Sequence, residues 1–381
     1  MPATCAVTAA RPAVAPDHRL NTSRREPVEL AWFAALCDDD YQFLGVPDPA
    51  LASSWLHCSD IVMRAEANGF DNVLLPSGYE LGIDATTFAA AVATVTERIK
   101  LLLAIRAGEV VVAQLARQIA TLQDVSAGRL TINAISSDVP GETMSSAARY
   151  ARTTEYFTAL KTLLAGERLE MNGEFVRTSI DPPRIAREQA SRGVEVPPIY
   201  FGGLSDEAKE CAARIADVYL MWPDVTSEIS RVMEEMTRRA STQGRTMRFG
   251  WRSHVIVRET ESEAREAARV LLSRLDEATG NAIRAKSQDS TSAGVARQAE
   301  IRESADADGY VERHLWAGVG RARSGAGVAI VGDPDQVATK IGELADAGVS
   351  SFILSGYPHL EECELFAKYV MPSITHSSTQ R

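Results

Sequence analysis

Arg252 and His254 stand two residues apart in a run, 248–257, that is dense in β-formers. On a strand, residues spaced by two share a face, so a cation able to hold an oxyanion in a fork lies beside a group that trades protons near neutral pH. A lone His or Arg on a strand is usually structural; the pair makes a functional role as credible as a structural one. Ser355-Gly356-Tyr357-Pro358-His359 follows the last apolar run of the chain. There Tyr357 is either a donor of a proton or hydrogen bond or a turn tyrosine with its hydroxyl in water. Phe201-Gly202-Gly203-Leu204-Ser205-Asp206 joins a strand to a helix and offers backbone amides at a helix N-terminus, a seat for phosphate or simply a tight turn.

The glycine-rich piece from Gly318 to Gly327 invites a dinucleotide-binding reading, but its spacing is wrong and a strand follows the glycines where the fingerprint needs one before them. A mobile loop that clamps an anion with Arg321 and Arg323 suits it better. Other signatures are missing: the sequence has no GxSxG elbow, no HExxH pair, no P-loop and no zinc-spaced Cys/His cluster. The six histidines are not spaced as metal ligands, so no metal is expected.

These residues need elements to carry them. With 45% hydrophobic and 24% charged residues, the 381-residue chain is ordinary for a globular protein. Short β-rich runs at 30–36, 72–75, 99–105, 130–135, 199–201, 218–221, 248–257 and 351–354 alternate with amphipathic segments. Eight such runs, with no break in composition between two halves, predict an α/β fold of the (β/α)8 TIM-barrel type in preference to a doubly wound sheet. Barrel sites lie beyond the C-terminal strand ends, where Tyr357 falls. Residues 1–27 are read as a flexible tail, 28–375 as the barrel and 376–381 as a C-terminal tail. Two stretches break the rhythm, near 166–197 and 276–325, and are read as inserted lids or binding loops. Within the second, 286–308 is polar and free of aromatic residues, which suits a segment that orders on ligand binding.

A net charge of −11 argues against nucleic acid and anionic membranes as partners, and an anionic substrate would need a local arginine cluster. Five scattered cysteines cannot form a complete disulfide set and point to a reducing cytoplasm, and no apolar run is long enough to span a membrane.

Longer patterns carry a resemblance. Leu315-Trp316-Ala317-Gly318-Val319-Gly320, Ser324-Gly325-Ala326-Gly327, Val331-Gly332-Asp333 and Ser355-Gly356-Tyr357-Pro358-His359-Leu360-Glu361-Glu362 resemble the C-terminal signature of the FMNH2-dependent alkanesulfonate monooxygenases of the bacterial luciferase-like superfamily. Phe249-Gly250, Arg252, His254-Val255-Ile256-Val257-Arg258-Glu259-Thr260, residues 198–206 and Val218-Tyr219-Leu220 with Trp222 extend it over most of the chain. The resemblance implies a luciferase-like barrel that takes reduced FMN from a separate NAD(P)H-dependent FMN reductase, uses O2, and cleaves a small anionic sulfonate to an aldehyde and sulfite. It implies that Arg252 and Arg323 hold the sulfonate or the activated oxygen, that His254 and Tyr357 move or orient protons, and that Trp222 lines the pocket. Ser77, Arg106, Ser136, Tyr150, Gly203, Leu204 and Ser205 fall at its flavin-binding positions, and it implies a homodimer or homotetramer. The loop around Arg323 would close to exclude water.

The N-terminal half departs from that pattern. Pro76-Ser77-Gly78 is followed by no cysteine where the family has one, Ser146-Ala147 stand for the usual His-Ser, and Cys37-Asp38-Asp39-Asp40-Tyr41 replaces a loop with a histidine. The three aspartates are read as a solvated loop; pointing inward, they would repel a sulfonate. Three alternatives stay open: a remodelled substrate that is not a sulfonate, a barrel using the deazaflavin F420 for hydride transfer, and a flavin-binding protein without turnover.

Overall fold

The structure is a computed structural model and describes residues 27–285 and 292–377. Its barrel strands are β1 (Glu29–Phe33), β2 (Asn72–Leu75), β3 (Lys100–Arg106), β4 (Leu130–Ile135), β7 (Ile199–Phe201), β8 (Val218–Met221), β9 (Arg248–Val257) and β13 (Ser351–Ser355). All neighbouring pairs are parallel, and β9 returns to β13 to close the ring. The eight-stranded barrel anticipated from the alternating runs is therefore present, with strand ends within two or three residues of those read.

Around it lie α1 (Trp55–Ala67), α2 (Ala85–Val92), α3 (Val112–Val125), α4 (Ser146–Leu164), α6 (Asp206–Ile215), α7 (Thr226–Thr242), α11 (Pro334–Ala347) and α12 (His359–Tyr369). Their starts are chemically marked. Ser54, Ser145 and Ser205 accept an amide of the first turn, and Asp333 forms a capping box with Gln336 ahead of Pro334. Between strands and helices sits the main apolar layer, with Trp32, Phe157, Trp251 and Phe366 fully buried. A second, smaller layer fills the ring: Ala31, Phe33, Leu74, Leu102, Tyr200, Val218 and Ile353. The period of two along β1 thus sends Phe33 inward, one step below the barrel mouth.

The stretch 166–197 holds an antiparallel hairpin, β5 (Leu169–Asn172) with β6 (Arg177–Ile180), and α5 (Arg184–Ser191). The stretch 276–325 holds α9 (Glu277–Ala285), α10 (Ala293–Ser304), β10 (Tyr310–Glu312) and β11 (Leu315–Trp316), preceded by α8 (Glu261–Leu272). Of the segment expected to order only with ligand, 286–291 lie outside the described residues. Ala293–Ser304 is a helix as it stands, tied down by Arg297 on Asp224 and by Gln298 on the Pro223 carbonyl at 2.8 Å. Its polar residues are thus accounted for by contacts to the loop after β8.

One register detail shapes the mouth. Strand β9 pairs with β8 only through Arg248–Trp251, while His254 to Val257 pair with β12 (Ala329–Gly332), which continues through β11 into β10. The long strand therefore leaves the ring at its C-terminal end, and the inserted segment is stitched to it there. Residues 1–26, which include nearly all of the tail read at 1–27, and 378–381 lie outside the described residues. His376, assigned to the C-terminal tail, is 3% exposed and bridges Val28 in parallel.

Candidate active site

Strands β9 and β13 bring the first group together. Their register sets Arg252 opposite Ile353 and His254 opposite Ser355. The Ser355 hydroxyl then accepts from Arg252 Nη2 at 2.8 Å and lies 2.8 Å from His254 Nδ1. Because the guanidinium only donates, the serine proton is free for the imidazole, so Nδ1 accepts and the ring proton sits on Nε2. Burial, reinforced by the charges of Arg252 and Arg323, pushes the His254 pKa well below its ordinary value, so the ring is neutral at pH 7. Nε2 is buried with no hydrogen-bond partner.

Burial and the nearby Arg323 push the Arg252 pKa down to about 9, still cationic at neutral pH. Its guanidinium carbon lies 4.5 Å from the centre of the Phe33 ring, and that of Arg323 lies 5.6 Å from the same ring. Two arginines, one on β9 and one on the glycine-rich loop, thus face one aromatic floor.

Arg323 arrives from the glycine-rich loop. Its Nη1 donates to the Tyr357 hydroxyl at 2.7 Å and meets Asp39 Oδ2 at 3.2 Å. Burial alone would lower its pKa, but Tyr357 and Asp39 outweigh that and raise it. Tyr357 is 6% exposed and its ring stacks on His254 with centroids 5.1 Å apart. Burial raises its pKa, so it is a neutral phenol at pH 7. The alternative of a turn tyrosine with its hydroxyl in water is thereby excluded. The glycines of the loop serve close packing: a Cβ on Gly318 would lie 2.0 Å from Trp316, and one on Gly327 2.7 Å from Gly320. A two-residue strand, β11, does stand before these glycines, which corrects the reading that a strand only follows them; it leads into a single 3-10 turn, Gly318–Arg321, and β12 comes after.

Trp222, just beyond β8, is half-buried, and Cβ atoms placed on Gly294 of α10 and Gly325 of the loop would come 3.0 and 3.3 Å from its ring. Two glycines let the inserted segment lie flat on this indole at the edge where β9 leaves β8.

The aspartates after β1 correct the expectation of a solvated loop. Asp38 holds the turn, accepting from Ser53 and Gly82 amides at 2.8 and 3.0 Å. Asp40 is 3% exposed; its Oδ1 accepts from the His359 amide and ring Nδ1, both at 2.9 Å, and Oδ2 from His57 at 2.9 Å. Burial raises its pKa, but His359 and His57 more than reverse that and hold it well below the usual carboxylate range. Asp39 faces the site. Sequence reasoning therefore missed Asp39, Asp40, Ser355, His359 and Phe33 as site groups. For Phe33 and Ser355 the signal was available, since each follows an inward residue of its strand by two.

The residues expected at flavin-binding positions form a second group. The Tyr150 hydroxyl lies 3.5 Å from where a Cβ on Gly203 would stand, so Tyr150 from α4 covers the Gly203-Leu204-Ser205 turn. Ser205 takes the amide of Ala208, leaving those of Asp206 and Glu207 outside the helix's own bonding. Next to Tyr150, Arg149 has a buried Nε without a partner. A phenol, helix-terminal amides and an under-used guanidinium make a donor set that fits a terminal phosphate such as that of FMN. The other positions are more occupied: Ser136 bonds Thr153 at 2.8 Å, and buried Arg106 is held by Ser137 at 3.0 Å and by Glu109. Ser77 is half-buried at the end of β2, and a Cβ on Gly78 beside it would lie 3.2 Å from Cys37 Sγ. A thiol thus reaches that turn although none follows it in sequence.

Among the described residues no helix is long and apolar enough to cross a membrane. The pattern of the family described as luciferase-like monooxygenase matches residues 45–351. A sulfoquinovose monooxygenase of Novosphingobium aromaticivorans is 56% identical over 355 residues, which cover 91% of this chain and 97% of that protein. Another, from Agrobacterium fabrum, is 47% identical over 352 residues, covering 92% and 90%. Among solved structures, riboflavin lyase with modified FMN and riboflavin has a TM-score of 0.75 at 15% identity, covering 93% of each chain, a likeness of fold alone. With a family pattern spanning most of the chain and relatives this close over nearly all of it, the protein belongs to the luciferase-like monooxygenase family.

Proposed function

We propose that this protein is a two-component monooxygenase that takes reduced FMN from a separate NAD(P)H-dependent reductase and uses O2 to cleave the carbon–sulfur bond of a small organosulfonate, yielding an aldehyde and sulfite. The observation that carries this reading is the cluster of uncommitted groups at the mouth. His254 Nε2, Asp39 Oδ1 and His359 Nε2 are buried side-chain atoms without hydrogen-bond partners, gathered around Tyr357 beneath two arginines. Buried polar atoms are rarely left unpaired in a finished protein interior, so the cluster is shaped for a polar ligand.

When bound, reduced FMN would supply the electrons for oxygen activation, with Tyr150, Arg149 and the Gly203-Leu204-Ser205 turn holding its phosphate end. Ser136, Arg106 and Ser77 would line its path. Arg252 and Arg323 would hold the sulfonate, whose charge is permanent and needs no proton. Neutral His254 offers Nε2–H to a developing oxyanion, and Ser355 keeps it in that tautomer. Tyr357 holds its proton at neutral pH and stands to donate it. Trp222 and the inserted segment exclude water from the reacting carbon.

The names of the two close relatives support a sulfonate, and the sulfosugar they imply suits a site with a carboxylate beside its arginines. Anaerobic titration with reduced and oxidised FMN and with F420, followed by oxygen in the presence of sulfoquinovose and alkanesulfonates, tests the proposal. Preference for reduced FMN with substrate-dependent sulfite is expected. Preference for F420, or reduced-FMN binding with no sulfite from any sulfonate, would overturn it.

A further inference from the structure

Asp39 has one oxygen that the rest of the site does not use. Oδ2 meets Arg323 at 3.2 Å, while Oδ1 is buried and has no hydrogen-bond partner. Its neighbours are fully committed: Asp38 to the Ser53 and Gly82 amides, Asp40 to His57 and His359. A carboxylate oxygen paired with arginine only accepts hydrogen bonds. Its missing partner must therefore be a donor, and a sulfonate group has none to give.

Charge leads the same way. Arg252 and Arg323 share one ring floor, and of the nearby carboxylates Asp39 is the one that pairs with either of them. The two guanidiniums thus carry one positive charge beyond that pairing, which matches one sulfonate without any further anion. A sulfonate on a bare hydrocarbon would satisfy the arginines and press methylene groups against Asp39 Oδ1, desolvating it with nothing in exchange.

We propose that Asp39 selects sulfonates bearing a hydroxyl group, accepting that hydroxyl on Oδ1 while Arg323 and Arg252 hold the sulfonate. The inference rests on the sulfonate reading above and makes Asp39 a specificity-determining residue. Arg323 links the two contacts, because the guanidinium that orients Asp39 also faces the anion. The carboxylate in the loop after β1 thereby ceases to be an obstacle to an anionic substrate and becomes the reason for preferring a hydroxylated one.

The test compares two ligands of one shape, sulfoquinovose and cyclohexylmethanesulfonate, which carries the same CH2–SO3− on a ring without hydroxyls. Binding is measured calorimetrically without oxygen on the full chain loaded with reduced FMN, for wild type, Asp39→Asn and Asp39→Ala, and sulfite release is measured separately. Wild type is expected to prefer the sugar by about tenfold to a hundredfold, the range of a hydrogen bond to a charged group. In both variants that preference should collapse while the ring hydrocarbon binds as well or better, since a negative charge has left a cationic site. A merely structural role would weaken both ligands together. Equal affinity of wild type for the two, a preference that survives in the variants, or binding of neither ligand would overturn the inference. Preference lost on substitution with no sulfite formed would leave it standing and reject the reaction, whereas sulfite formed without any preference would do the reverse.

Discussion

Arg323 Nη1 and the Tyr357 hydroxyl are 2.7 Å apart, joining the glycine-rich loop to the turn after the last barrel strand. The arginine is committed at the same time to Asp39 of the loop after the first strand, so three distant segments meet on one guanidinium.

Arg323→Ala is expected to lower turnover by about 10²–10³-fold, the range for losing one charge-stabilising donor, with reduced-FMN affinity nearly unchanged. It also strips Asp39 of its cation. The double variant Arg323→Ala/Asp39→Ala should therefore be more stable to denaturant than the single one. Additive stabilities in the cycle would remove the pair from the account.

Tyr357→Phe deletes a single hydroxyl and leaves the ring stacked on His254. Turnover should fall about 10²-fold, as for loss of a positioned proton donor, with a stability change of about 1–2 kcal/mol or less. Wild-type turnover would show that the phenol only anchors the loop.

Ser355→Ala removes the link between Arg252 and His254 without touching either. The imidazole should then sample both tautomers, and kcat should drop about tenfold while sulfonate affinity holds, a hydrogen bond's worth of orientation. Observing the His254 ring nitrogens by NMR checks the cause directly: a proton on Nδ1 in the wild type would contradict the assignment.

Asp40 sets a pH dependence of stability. Its folded pKa lies below the unfolded value of about 3.9, so its contribution is fully present above pH about 4 and disappears as pH falls through the folded value. Asp40→Asn should flatten the acid limb of a stability–pH curve between about pH 4 and 2 relative to wild type. An unchanged limb would mean that the His57 and His359 contacts carry no net charge coupling.

Read alone, the sequence determined the architecture and one half of the site. Alternating runs are local signals, written in neighbours a few positions apart, and they marked eight strands that close as expected. The spacing of two in Arg252 and His254 placed both on one face for the same reason. Helices α8 and α11 were legible in principle, from the capping boxes at Thr260 and Asp333.

The tertiary structure alone decided the other half. Three consecutive aspartates in a chain of net charge −11 look like a solvated loop, because local sequence carries no trace of hydrogen-bonding partners far along the chain. Only closure of the barrel brings His359 to Asp40 and Arg323 to Asp39, turning charges that would repel water-borne anions into buried, paired ones. Likewise nothing local in the polar sequence of α10 announces that Asp224 and the Pro223 carbonyl beyond β8 receive Arg297 and Gln298. Period and propensity act along the chain; the pairing of charges and of orphaned hydrogen-bonding groups acts across it, and that is settled only when the strands meet.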